Sequence, residues 1–314
     1  MRRRSPLLSL FLAAALLPLV ASCSAMQRAR TETAVARVLL SDQQMAQIGE
    51  QVHAELQRQG IRYVGSAAVT GYVEDVAGRI FALARRDRSG VDYHVHVIDD
   101  PQSVNAFATP GGHIYLYSGL ILAADNEAEV AGVLAHETGH VTGRHMERAI
   151  VNSYGVQALA SLALGENPSL ARQLAASAVA TGILRAHGRS EELEADRHGA
   201  RYASLARYDP RAMITFFRKL QAKEPRTPRA LAWLRTHPVT GERIARLEDY
   251  IADNRLGGGV LGRERHLAVE QRLAAAPGIR PDVKVAGAGV RRPGVAPPSA
   301  ARERAAQRSG SPIP

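Results

Sequence analysis

Apolar residues early in this chain recur at helical spacing and then change period. From Asp42 to Gln59, Met45, Ile48, Val52 and Leu56 lie on one stripe, and Gly60 supplies a stop. A second helical pattern runs from about Ser66 to Arg86 through Val69, Val73, Val76 and Ile80. At Val91 the period becomes two. Val91, Tyr93, Val95 and Val97 alternate with Asp92, His94 and His96, which predicts a half-buried strand with both histidines on its polar face; such a pair could hold a metal, but exposed strand histidines are far commoner. Asp99-Asp100-Pro101 makes a turn, a segment punctuated by Gly and Pro follows to Gly112, and His113 to Tyr117 is the next strand. Asn126 and Glu129 have capping-box spacing and open a strongly apolar helix expected over about 127–150. The Ala/Leu-rich stretch 152–186 is interrupted from Gly165 to Pro168 and interleaved with Arg172, Gln173 and Arg185. Neither half reaches the ~18 apolar residues of a membrane span, so it reads as a helical hairpin. The chain has no internal repeat. The fold class that follows is α+β, mainly helical.

Both ends differ from this body. Arg2, Arg3 and Arg4 precede an apolar run, Leu7 to Leu19, which is too short to span a bilayer and ends in Val20-Ala21-Ser22-Cys23. That ending resembles the lipobox of bacterial lipoproteins, where the signal is cut before a cysteine that becomes lipidated. Cys23 is the only cysteine, so no intramolecular disulfide can form. Several acyl chains on one residue give stable attachment, and Ser24 in place of Asp favours the outer membrane by resemblance to enterobacterial sorting. After Gly257-Gly258-Gly259 one amphipathic stretch remains, Arg263 to Ala276, and residues 285–314 have too few large apolar residues to offset the entropy of ordering. The expected organisation is a signal peptide over 1–22, a lipidated linker over 23–40, one domain over 41–255, and a partly helical, then disordered tail over 256–314.

The formal net charge is +10, but Arg2, Arg3 and Arg4 contribute three units and residues 285–314 a net four. The body keeps only about +3, which does not argue for nucleic-acid binding. A basic tail that touches anionic lipid or peptidoglycan rests on charge alone, and a solvated tail with no partner is the better reading.

The chemistry centres on His136-Glu137-Thr138-Gly139-His140. Residues four apart on a helix leave one face about 40° apart, so two imidazoles can hold a zinc ion at about 2 Å. Glu137 stands beside them, where it can take a proton from an attacking water. A third ligand is needed. His145 lies nine residues from His136, about 180° around a helix, and cannot reach the same metal without a break. It is read as a surface residue or as support for a ligand. The acidic run Glu191-Glu192-Leu193-Glu194-Ala195-Asp196 is the better source, because Glu192 and Asp196 share a helix face while Glu194 lies about 200° from Glu192. One carboxylate could bind metal and the other accept a hydrogen bond from a ligand imidazole, although an acidic first turn is also what a helix dipole favours.

His136-Glu-x-x-His140 with Glu192-Leu-Glu-Ala-Asp196 resembles the zinc metallopeptidase family of HtpX and the CAAX prenyl proteases. Asn105-Ala-Phe-Ala-x-Pro-Gly-Gly-x-Ile-Tyr resembles that family's edge-strand segment ahead of the zinc helix. Arg235-Thr-His237-Pro238, followed by Arg243, resembles its closing motif. The resemblance implies a zincin-like domain with a small sheet whose edge strand precedes the HExxH helix. It implies one Zn2+ per chain on His136, His140 and Glu192, with Glu137 as catalytic base and Asp196 supporting a ligand histidine. His237 and Arg243 would approach the metal from the far side, His237 capping it or stabilising the oxyanion and Arg243 helping to hold substrate or the oxyanion. Substrate would add as a strand along Asn105, Ala106, Phe107, Ala108 and Gly112.

HtpX and the prenyl proteases have transmembrane helices and this chain has only its lipobox, so it looks closest to the family's small outer-membrane lipoproteins. The expectation is a lipid-anchored, periplasm-facing endopeptidase that acts on unfolded or unassembled envelope proteins and associates with outer-membrane assembly machinery. The alternative is an assembly factor or chaperone with little or gated proteolysis.

Overall fold

The computed structural model describes residues 40–153, 187–223 and 232–275. The expected signal peptide, most of the linker, the 154–186 part of the hairpin and the tail beyond 275 lie outside the described residues.

Two long helices open the described structure, α1 (Asp42–Arg58) and α2 (Ala67–Asp87), close to the spans their apolar stripes predict. Ser41 caps α1 by accepting from the Gln44 amide, and the Gln44 side chain returns a bond to the Ser41 amide. The sheet has three strands, β1 (His94–Ile98), β2 (Ala106–Ala108) and β3 (His113–Tyr117), in the order β1-β3-β2. β1 pairs parallel with β3, with His94 opposite His113, and β2 pairs antiparallel with its other side. The first strand therefore starts at His94 and not at Val91, because β3 offers only five residues to pair with. Val91 and Tyr93 are nonetheless buried, as their alternation predicts. Gly111 (φ 79°) and Gly112 (φ 92°) turn the chain from β2 into β3 in a conformation that side chains disfavour.

A short helix, α3 (Ser118–Ala123), leads to α4 (Glu127–Thr142), which carries the HExxH residues and is buried from Glu127 to Val141. Asn126 accepts from the Glu129 amide as its spacing predicts, while Glu129 accepts from Asp125 and from Lys219 Nζ at 2.7 Å. The remaining helices are α5 (Arg189–Leu205), α6 (Arg211–Lys223), α7 (Ala232–Thr236), α8 (Gly241–Asp253) and α9 (Arg263–Ala274). α5 packs against α4 through glycines. A Cβ on Gly139 would stand 2.9 Å from the Ala195 carbonyl oxygen, and one on Gly199 would stand 3.1 Å from the His136 nitrogen.

Two sequence expectations need correcting. The helix expected over 127–150 is broken at Gly143 and Arg144, and helical structure resumes over 145–153. Arg144 has φ 57°, and buried Arg88 donates to the Val141 carbonyl at 2.6 Å while also binding Asp42 and Glu147. A guanidinium at the last turn satisfies a carbonyl that continuation of the helix would have used. The domain boundary expected at 255 also falls inside packed structure. Leu261 accepts from the Ala128 amide, and α9 buries His266, Val269 and Leu273, with His266 bonded to Tyr72 and to the Ala124 carbonyl. No helix among the described residues is long and apolar enough to cross a membrane.

Candidate metal centre

α4 presents His136 and His140 on one face, as their spacing requires, and their Nε2 atoms lie 3.0 Å apart. The glycine contacts with α5 bring Glu192 to within 3.6 Å of His136 Nε2 and 3.5 Å of His140 Nε2. His237 follows α7 and completes the group, with Nδ1 3.3 Å from His136 Nε2 and 2.9 Å from Glu192 Oε1. All four residues are buried, and one donor atom from each lies within 4.8 Å of the others. A tetrahedron with bonds of about 2.0–2.1 Å has edges of about 3.3 Å. Five of the six separations, taken to the nearer Glu192 oxygen, run from 2.9 to 3.6 Å and bracket that value. Three imidazole nitrogens and one carboxylate thus fit a small tetrahedral divalent cation, and Glu192 Oε2 is buried without a hydrogen bond of good geometry.

Hydrogen bonding around the donors fixes which nitrogen of each ring keeps its lone pair. His136 Nδ1 lies 3.0 Å from Asp196 Oδ1 at an angle poor for a hydrogen bond, but a carboxylate so close can only accept, so the proton belongs on Nδ1 and Nε2 faces the group bare. His140 reaches the same state through a relay. Glu194 accepts from His145 Nε2 at 3.2 Å, so His145 Nδ1 must accept from His140 Nδ1, 2.7 Å away. The break at Gly143–Arg144 allows this, since His145 on a continuous helix would point away.

Arg243 braces the carboxylates. Its Nε and Nη2 donate to the two oxygens of Asp196 at 2.8 Å each, and Nη1 lies 2.6 Å from Glu192 Oε2 and 3.0 Å from the Pro238 carbonyl. Burial alone would raise the Glu192 pKa, but the facing His237, His136 and Arg243 outweigh it and hold the carboxyl at about 2. Burial likewise opposes the charged form of His136, yet Asp196 raises its pKa above the usual imidazole range. His140 falls well below that range through burial and the surrounding imidazoles.

Glu137 points to the other side of His237. Its Oε1 accepts from Trp233 Nε1 at 2.9 Å and lies 3.4 Å from His237 Nε2. Trp233 also stacks on His237 with ring centroids 4.8 Å apart. Trp233 was absent from the sequence reading, although it is the only tryptophan and stands four residues before His237. His187, stacked 3.9 Å from His140, was missed as well.

The expected substrate segment divides in two. Ala106, Phe107 and Ala108 form the edge strand, buried in this state along with Asn105 and Gly112, whereas His113–Tyr117 is the central strand, paired on both sides. Val104, at the entry to β2, accepts from the Trp233 amide at 3.2 Å, so the edge begins beside the residue that holds Glu137. Of the two strand histidines, His94 is exposed as expected. His96 is not: it is half-buried, lies 3.0 Å from His113 Nδ1, and its pKa is pushed down to about 3 by burial.

Residues 67–251 match the model of peptidase family M48. The mitochondrial metalloendopeptidase OMA1 of Schizosaccharomyces pombe is 34% identical over 184 residues, covering 59% of this chain and 53% of that protein. The beta-barrel assembly-enhancing protease of Escherichia coli K12 is 32% identical over 219 residues, covering 66% of this chain and 43% of that protein. The Yersinia pestis protein of the same name is 30% identical over 222 residues, covering 68% and 45%. The chain spans about half the length of these relatives.

Proposed function

The chain belongs to peptidase family M48, and we propose that it is a zinc-dependent endopeptidase that cleaves misfolded or unassembled proteins of the bacterial envelope. The observation that carries this reading is the buried donor set His136, His140, Glu192 and His237 with an unbound carboxylate, Glu137, beside it. A closed structural site has no use for such a base. When bound, zinc supplies Lewis acidity that polarises a scissile carbonyl and makes water a better acid.

The protein's own groups divide the remaining work. Asp196 and the His145–Glu194 relay hold the ligand rings with Nε2 unprotonated. Arg243 keeps Glu192 and Asp196 of α5 ionised and in place. Trp233 fixes Oε1 of Glu137, which takes a proton from the attacking water and returns it to the leaving amine. A substrate strand would add along Ala106–Ala108 through backbone hydrogen bonds, tolerating many sequences. The lipobox at Cys23 supports attachment to the outer membrane, facing the periplasm.

A second reading, an assembly factor with gated proteolysis, is favoured by two features. His237 supplies a fourth donor, which would take the position a bound metal otherwise leaves for water, and the edge strand is buried. The names of the enterobacterial relatives agree with a part in β-barrel assembly. Cleavage of casein and of a misfolded β-barrel protein by three forms of the chain tests both readings. Glu137→Gln should keep the fold and the metal yet lose activity by several orders of magnitude. His237→Ala should raise basal cleavage if the ring gates the site, and lower it by roughly 10²-fold if it serves the oxyanion. Near-wild-type cleavage by Glu137→Gln would sink the proposed chemistry.

A further inference from the structure

The sheet carries a second group of imidazoles that shares no residue with the centre on α4. Side chains alternate across a pleat, so the pairing of His94 with His113 and of His96 with Tyr115 puts these four on one face. α1 covers that face and adds His53, whose Nδ1 lies 2.9 Å from the Tyr115 hydroxyl. His96 and His113 stack with their planes 10° apart, and His53 lies 4.4 Å from His96 between ring centroids. One nitrogen from each of His53, His96 and His113 lies within 4.8 Å of the others.

The details match those of the first centre. His96 Nε2 and His113 Nδ1 are 3.0 Å apart, the same spacing as the Nε2 atoms of His136 and His140. The other nitrogen of His113 lies 3.3 Å from Glu50 Oε1. A carboxylate there draws the ring proton to Nε2 and leaves the Nδ1 lone pair facing His96. Asp196 does the same for His136.

We propose that His53, His96 and His113 form a second metal site, for a divalent transition ion that prefers imidazole nitrogen, of the zinc, copper or nickel class. Three nitrogen donors leave one coordination position, and the partial exposure of His53 and His96 opens that position to water. Such an ion ties α1 to β1 and β3 and so braces the sheet whose opposite edge is β2.

The test uses the full chain, stripped with chelator and titrated with zinc alone. Elemental analysis after dialysis should find two ions per wild-type chain at saturation and one in His96→Gln and in His113→Gln. His136→Ala/His140→Ala should also retain one ion. Anomalous scattering at the zinc edge from loaded wild-type crystals needs no variant to fold, and should show a second peak between α1 and β3. Saturation at one ion, a second peak elsewhere, or a second ion that survives His96→Gln and His113→Gln would each overturn the proposal. In those cases the three rings are a hydrogen-bonded stack and nothing more.

Discussion

The imidazole groups around His136 and around His96 share a 3.0 Å nitrogen spacing, but their surroundings differ. Around His136 and His140 the supporting groups are mostly buried and braced: Asp196 and Glu192 are held by Arg243, and His145 is held by the partly exposed Glu194. Around His96 and His113 the supporting carboxylate is Glu50, whose side chain is 67% exposed, and His94 lies open to solvent. A sheet and one overlying helix suffice to gather three rings. Holding an ionised carboxylate among buried rings takes further layers of compensating charge, because a lone buried charge is costly. That difference is physical and can be attacked at each layer.

The largest effect should come from the brace. Arg243→Ala leaves Asp196 and Glu192 buried without their cation and should cost about 3–5 kcal/mol in denaturant unfolding of the metal-free chain. The corresponding change at the sheet, Glu50→Ala, removes an exposed partner and should cost under about 1 kcal/mol. Equal costs would mean that burial does not separate the two groups. A smaller effect is expected at the helix interface. Gly139→Ala forces a Cβ against the Ala195 carbonyl and should cost about 1–3 kcal/mol while weakening metal retention on α4. Gly78, on α2, has open space around its Cβ position, and Gly78→Ala should instead stabilise by about 0.5–1 kcal/mol. Thermal unfolding of the pair decides whether close approach or glycine content matters.

The smallest effect concerns pH. Burial alone would raise the Glu194 pKa, but His145 and Arg148 outweigh it and bring the carboxyl to about 2, well below the ordinary carboxylate value. A depressed folded-state pKa contributes stability above the ordinary value of about 4.5, and that contribution is lost as pH falls toward 2. Glu194→Gln should therefore be less stable than wild type near neutral pH, and the gap should close on acidification through that window. A gap that stays constant down to pH 2 would show that Glu194 acts by shape and not by charge.

Much of the first centre was legible because its chemistry is written in local spacings. His136 and His140, and Glu192 and Asp196, are each four apart, and helix geometry alone puts each pair on one face. What could not be read was anything that depends on how elements meet. At the break over Gly143–Arg144, Arg88, more than fifty residues earlier, reaches the Val141 carbonyl. The grouping of His96 with His113 and His53 needs the parallel register of β1 on β3 and the placement of α1, neither of which leaves a periodic trace. Period-two alternation put His94 and His96 together on one strand, but the partner that gives His96 its neighbours lies on another.

The glycine contacts between α4 and α5 have a consequence in time. His136 and Glu192 are separated by more than fifty residues, and Arg243 by fifty more, so the full donor set exists only once distant segments have docked. Contacts of such long sequence separation tend to form late in folding, since loop closure must be offset before they are gained. Two histidines on a nascent α4 can meet a metal early, but without Glu192 and its braced partners that encounter leaves the site unfinished. The complete donor set would then be among the last features this chain acquires as it folds, and among the first lost when α5 lifts from α4.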